Sequence, residues 1–241
     1  MSESAPRTPR LRAVVFDLDD TLFDCLRQCV GPAHREAAKA MVEAGLKATT
    51  EEVLEARLAL FGVPALDLDD AVAATFRSVN PVRVAEAGRR AFYEREPGPL
   101  EPFPFARDVV ARVRAVAKTM LLSVGHPATQ RKKIEALGLL GAFDEVLLDD
   151  VFEKPSKEGA LAAWLARSGF APEDVLVVGD RPDSEIAAAG RLGMRALRIR
   201  GGEYAARATP PGVPEADDVR AVLPLLELPP PPPPGQSAGA S

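Results

Sequence analysis

The sequence predicts an α/β protein with a Rossmann-like core, a parallel sheet with helices on both faces, and a helical domain inserted after the first strand. Two patterns predict this class. From residue 98 onward, short apolar runs alternate with segments of helical periodicity, the order typical of parallel sheets with right-handed crossovers. Residues 25–97 show helical periodicity without a clear strand between an apolar run and a proline-rich cluster.

The individual elements follow from local patterns. The run 11–18 predicts a buried first strand, and Thr49 or Thr50 is expected to cap a helix in the insert that runs through Leu60. Further strands are predicted at 119–124, 145–148, 175–178 and 196–199. Helices are predicted between them at 106–117, 128–137, 157–168 and 183–192.

These elements divide the chain of 241 residues into four parts. Residues 1–10 are predicted to be a flexible tail, 11–24 together with 98–227 the α/β core, and 25–97 the helical insert. Residues 228–241 are proline-rich and predicted to be disordered. The prolines match a ligand for an SH3- or WW-type domain, but a solvated tail is the favoured explanation.

Composition and charge narrow the function classes. The net charge is −5, with 30 basic and 35 acidic residues mixed along the chain, so no nucleic-acid partner is expected. The chain contains no run of 18 apolar residues, so no membrane span is expected either. Free thiols at Cys25 and Cys29 and the lack of a signal peptide in the first ten residues predict a cytoplasmic protein.

Polar residues recur where predicted strands end. Asp17, Ser123 and Asp180 each lie at the carboxyl end of a strand, and Lys154 follows another strand by a few residues. Ligands bind at the carboxyl ends of the strands in such sheets, so these four residues are expected to meet at one edge.

These residue types suit phosphoryl transfer. Asp17 can attack as a nucleophile while Asp19, two residues on, serves as general acid and base. Clustered carboxylates repel one another, and oxygen ligands favour Mg²⁺ as the cofactor that holds them together. Lys154 would keep Asp17 ionised, and Ser123 would bind phosphoryl oxygens.

The sequence resembles the haloacid dehalogenase-like hydrolase superfamily. Its first motif resembles Asp17-Leu18-Asp19-Asp20-Thr21-Leu22, and its second, third and fourth motifs resemble Ser123, Lys154-Pro155 and Gly179-Asp180. The resemblance implies Asp17 as nucleophile, Asp19 as general acid/base, and Lys154 as the charge-stabilising and phosphate-binding lysine. Ser123 is implied as the phosphate-binding hydroxyl. The implied Mg²⁺ ligands are Asp17, the Asp19 carbonyl and Asp180, and the helical insert is similar to the family's cap.

The sequence departs from the family pattern at two places. The fourth motif often ends in a second aspartate where this chain has Glu185, so either Glu185 would reach the metal shell through a water or Asp183 would substitute for it. Acids in a first helical turn also favour the helix dipole, so both residues have a purely structural explanation. Val124 stands where the second motif often has Asn.

The predicted function is a Mg²⁺-dependent phosphatase that hydrolyses a small phosphorylated metabolite through an aspartyl-phosphate on Asp17. A sugar phosphomutase would use the same intermediate. A 2-haloacid dehalogenase resembles this chain but typically lacks the second acid, so Asp19 argues against that activity. A non-catalytic binding protein that recruits partners through its prolines is a further alternative.

Overall fold

The structure is a computed structural model that describes residues 10–60 and 65–230. The predictions of an N-terminal tail and of a proline-rich C-terminal tail therefore fall almost wholly outside the described residues. Within the described ranges, no helix has the length and apolar character needed to cross a bilayer.

A parallel sheet forms the core and confirms the predicted fold class. In the described part of the chain it has six strands in the order β3-β2-β1-β4-β5-β6. The strands are β1 (Ala13–Phe16), β2 (Lys118–Gly125), β3 (Glu145–Asp150), β4 (Val175–Gly179), β5 (Arg195–Ile199) and β6 (Glu215–Ala216). Strands β2 and β3 are added on one side of β1, and β4, β5 and β6 on the other. The strand order therefore switches direction at β1, and ligands bind at such a switch point in open α/β sheets.

Alternate residues of each strand face opposite sides of the sheet, and both sides are covered. Val14 and Phe16 belong to one apolar cluster, whereas Ala13 and Val15 belong to another. The helices that pack around the sheet are α5 (Ala106–Arg114), α6 (Pro127–Ala136), α7 (Lys157–Ser168), α8 (Ala187–Arg191) and α9 (Val222–Leu225). Burial on both faces explains why the strands read as nearly continuous apolar runs.

The insert between β1 and β2 is helical, as predicted. A π-helical turn at Leu26–Val30 leads into α1 (Gly31–Glu43), which is followed by α2 (Thr50–Ala59), α3 (Ala65–Thr75) and α4 (Pro81–Tyr93). Thr49 caps α2, since its hydroxyl accepts from the Glu52 N–H and the Glu52 carboxylate accepts from the Thr49 N–H. These helices bury a separate apolar cluster of their own, which includes Met41 and Val53.

The structure differs from the predicted elements in a few places. The segment predicted as one helix at 183–192 is a π-helical turn at Pro182–Ile186 followed by α8. Strand β6 and helix α9 were not predicted, because two and four residues are too few to show a hydrophobic period.

Candidate active site

Asp17 lies directly after β1 at the carboxyl edge of the sheet. Its backbone N–H donates to the Val178 carbonyl of β4 at 2.9 Å, which continues the ladder by one residue. The side chain is buried, with 5% of its surface exposed, and its Oδ1 accepts from Lys157 Nζ at 2.6 Å. The predicted nucleophile is therefore a buried carboxylate with an ammonium partner.

The lysine beside Asp17 is Lys157, and the prediction of Lys154 for that place is wrong. Lys154 is exposed, in the turn before α7, with a left-handed φ of 53°. Lys157 is the first residue of α7, whose N-terminus is capped by the Ser156 hydroxyl. Because the chain turns between the two lysines, only the second one points into the sheet edge.

Glu185 completes a cluster of three carboxylates with Asp17 and Asp180. One ligand oxygen from each residue lies within 4.8 Å of the others. Glu185 accepts from Lys157 Nζ at 2.7 Å and from the Arg181 N–H at 2.8 Å. Gly179 leaves the space for it, since a Cβ there would overlap the Glu185 side chain.

Asp183, the alternative to Glu185, faces away from this cluster. It is exposed and forms an ion pair with Arg207 at the surface. The sequence left these two acids undecided, and the structure brings only Glu185 to the cluster.

The electrostatics of the cluster favour an additional positive charge. Burial raises the pKa of Asp17 to about 7, against the attraction of the Lys157 ammonium. Burial, together with the charges of Asp17 and Glu185, raises the pKa of Asp180 to about 9. Burial disfavours the Lys157 ammonium, but the two carboxylates it contacts outweigh that effect and raise its pKa. Three carboxylates thus face one ammonium, and the negative charge of the cluster is incompletely balanced.

A divalent cation fits this cluster. Asp180 is 2% exposed, and its buried Oδ1 has no hydrogen-bond partner among the residues that the structure describes. A buried carboxylate oxygen without a partner is costly, and coordination of a cation would remove that cost. The all-oxygen donor set of Asp17, Asp180 and Glu185 matches the ligand preference of Mg²⁺.

Asp19 belongs to a different set of contacts from the acid cluster. Both of its carboxylate oxygens accept from Lys133 Nζ, at 3.0 and 3.1 Å. Gln130 Nε2 donates to Asp19 Oδ2 at 3.2 Å and to Ser123 Oγ at 2.6 Å. Ser123 is buried two residues before the end of β2, so Gln130 links the predicted phosphate-binding hydroxyl to the predicted acid/base.

Asp20, the third acid of the first motif, has a structural role. It adopts a left-handed φ of 56°, and its carboxylate accepts from the Leu26 N–H at 2.9 Å and the Glu203 N–H at 3.4 Å. The Asp20 side chain thus joins the start of the helical insert to the loop after β5.

Sequence reasoning missed three functional candidates: Lys157, Gln130 and Lys133. Gln130 and Lys133 are spaced i, i+3 on α6 and therefore share a helix face. The signal that points to them is position, because α6 starts immediately after the strand that carries Ser123. Lys157 carries no such signal, since its distinction from Lys154 depends on the path of the turn.

A small cavity of about 110 Å³ opens beside Asp19, between α6 and the helical insert. Lys133 and Gln130 form its core side, and Phe92 and Arg95 belong to its insert side. Val124, at the position where the second motif often has Asn, also lines it. The insert therefore supplies one wall of the space next to the predicted acid/base.

The chain is similar in sequence and in fold to known proteins. A model of the haloacid dehalogenase-like hydrolase family matches residues 11–193. The glyceraldehyde 3-phosphate phosphatase of Methanocaldococcus jannaschii is 30% identical over 201 residues, which cover 80% of this chain and 87% of that protein. The phosphoserine phosphatase of Thermus thermophilus is 30% identical over 222 residues, which cover 78% of this chain and 88% of that protein. Among solved structures, the HAD-hydrolase YfnB of Bacillus subtilis has a TM-score of 0.64 at 17% identity and covers 91% of this chain and 100% of that chain.

Proposed function

Because the chain belongs to the haloacid dehalogenase-like hydrolase family, we propose that it is a Mg²⁺-dependent phosphatase acting on a small phosphorylated metabolite. The observation that carries this proposal is the buried Asp17 carboxylate, held at 2.6 Å by Lys157 beside two further acids. The relatives from M. jannaschii and T. thermophilus are both phosphatases, and each aligns with about four fifths of this chain.

The first step forms an aspartyl-phosphate. An Asp17 oxygen attacks the phosphorus of the substrate, a new O–P bond forms, and the bond from phosphorus to the leaving oxygen breaks. Asp19 gives a proton to the leaving oxygen as that bond breaks. Lys157 offsets the negative charge that gathers on the phosphoryl group. Ser123 donates its hydroxyl to a phosphoryl oxygen.

The second step regenerates the enzyme. Asp19, now a carboxylate, accepts a proton from a water molecule as that water attacks the phosphorus. The bond between phosphorus and the Asp17 oxygen breaks, which releases inorganic phosphate and returns Asp17 to its carboxylate form. The helical insert acts as a cap that keeps other water molecules out, since residues of α1 and α4 line the cavity beside Asp19.

Mg²⁺ would be held by Asp17 and Asp180, with the Asp19 carbonyl and Glu185 beside them. When bound, the ion supplies positive charge that binds phosphoryl oxygens and balances the acid cluster. Lys157 bridges Asp17 and Glu185, so it fixes the spacing of two of these acids before any ion binds.

Removal of divalent metal is expected to abolish hydrolysis of p-nitrophenyl phosphate, and added Mg²⁺ is expected to restore it. The reason is that the negative charge of the acid cluster then repels the phosphate dianion. The assay measures p-nitrophenolate release in EDTA and after Mg²⁺ is returned. Undiminished activity in EDTA would contradict the proposed metal dependence, and metal-independent release of chloride from a 2-haloacid would indicate a dehalogenase.

Replacement of Lys133 by Met is expected to slow the hydrolysis of phosphate esters with poor leaving groups more than that of esters with good leaving groups. Lys133 holds both Asp19 oxygens, so without it Asp19 is misplaced for proton donation. We expect kcat to fall about 10- to 100-fold on an alkyl phosphate. The loss on p-nitrophenyl phosphate should be much smaller, because p-nitrophenolate leaves readily without a proton.

Lys132→Met provides the matched control for this prediction. Lys132 is the neighbouring residue on α6, is exposed, and forms an ion pair with Glu96 at the surface. Its replacement should leave both rates close to those of the unchanged protein. An equal loss on both substrates in Lys133→Met would mean that Lys133 supports the fold and not the proton transfer.

A further inference from the structure

The cavity beside Asp19 limits the size of the group attached to the phosphate. Its volume of about 110 Å³ is far below the roughly 300–1,000 Å³ of sites for drug-sized ligands. The space between α6 and the helical insert therefore holds a leaving group of a few carbon atoms and excludes much larger ones.

The cavity also carries an excess of positive charge. Its charged lining residues are Asp19, Lys133 and Arg95. Lys133 is neutralised by Asp19, whose two oxygens lie 3.0 and 3.1 Å from Nζ. His126 also lines the cavity, and its Nδ1 lies 3.2 Å from the Thr129 hydroxyl. Arg95 is therefore the charge that is left without a counterion inside this cavity.

The surroundings of Arg95 leave its guanidinium available. Within the described ranges, its one hydrogen bond is from Nη1 to the Cys29 carbonyl at 3.3 Å, and it forms no ion pair. The acids on either side of it in sequence have other partners, since Glu94 pairs with Arg90 and Glu96 with Lys132. Arg95 is half-buried, and most of its five N–H donors lack an acceptor in the described part of the chain.

We infer that Arg95 binds a carboxylate on the leaving group, so that the preferred substrates are phosphate esters of small hydroxy acids. The planar guanidinium matches a carboxylate through two parallel hydrogen bonds. The apolar walls formed by Val30, Ala33 and Phe92 exclude water and strengthen that pair. This inference rests on the proposed phosphatase function and adds the chemical class of the substrate.

The kinetic test compares 3-phosphoglycerate with glycerol 3-phosphate, which have the same carbon number but differ in the carboxylate. The unchanged protein should have the lower KM for 3-phosphoglycerate. Arg95→Met should raise that KM about tenfold or more, as expected for a lost charged hydrogen bond, with kcat little changed. The KM for glycerol 3-phosphate should stay within about threefold, and Arg95→Lys should recover part of the loss.

Arg90→Met is the matched control, because Arg90 is an exposed arginine of α4 that pairs with Glu94. It should leave both KM values unchanged. An equal effect of Arg95→Met on the two substrates, or no preference for 3-phosphoglycerate in the unchanged protein, would overturn the inference.

A binding measurement separates this inference from the proposed function. Calorimetry measures the binding of 3-phosphoglycerate, in the presence of Mg²⁺, to the Asp17→Asn variant and to the Asp17→Asn/Arg95→Met double variant. Neither measurement requires catalytic activity. Binding at least about tenfold weaker in the double variant supports the carboxylate site even if no phosphatase activity is found. Equal binding overturns it even if p-nitrophenyl phosphate is hydrolysed.

Discussion

Replacement of Asp17 by Asn is expected to abolish phosphatase activity, with kcat reduced about 10⁴-fold or more. The amide is nearly the same size as the carboxylate but is a poor nucleophile, so no aspartyl-phosphate forms. It also removes one of the two carboxylates that accept from Lys157, while the pair with Glu185 at 2.7 Å remains. The variant should therefore fold, and a thermal unfolding curve checks this. Mass spectrometry of the variant after exposure to substrate should find no phosphorylated protein.

Asp183→Asn is the control for this loss. Asp183 lies four residues after the end of β4, but its carboxylate pairs with Arg207 at the surface. The same chemical change there should leave kcat nearly unaltered. Full activity in Asp17→Asn would contradict the covalent mechanism and move the nucleophile elsewhere.

Replacement of Lys157 by Met is expected to lower kcat about 10²- to 10³-fold, whereas Lys154→Met should stay within about threefold. Lys157 is buried and contacts both Asp17 and Glu185, so its loss leaves three carboxylates without their ammonium. Lys154 is exposed and lies three residues earlier, in the turn before α7. The two variants make the same chemical change and differ only in which lysine the fold directs inward.

Lys157→Met should also lower the free energy of unfolding, because removing one partner of a buried ion pair leaves buried charge uncompensated, at a cost of about 3–5 kcal/mol. Chemical denaturation with and without Mg²⁺ measures this, and the ion should restore part of the loss. A large loss of activity in Lys154→Met with little change in Lys157→Met would reverse the assignment made from the geometry.

Much of the fold could be predicted because its signals are local. Burial on both faces makes β1 and β4 continuous apolar runs, and the helix that starts at Lys157 is predicted at its observed bounds. Short elements such as β6 could not be predicted, since two residues carry no period. The capping box at Thr49 is a further local signal, because it needs only a Glu three residues on.

The sequence by itself determined the type of sheet and the residues that end its strands, and so brought Asp17, Ser123 and Asp180 to one edge. Tertiary structure decided which of several nearby side chains joined them. It placed Lys157 and Glu185 in the cluster, left Lys154 and Asp183 at the surface, and set Lys133 against Asp19. The physical reason is that strand ends follow from hydrophobic period, whereas the direction of a side chain in a turn or first helical turn depends on backbone angles and on the charges it meets.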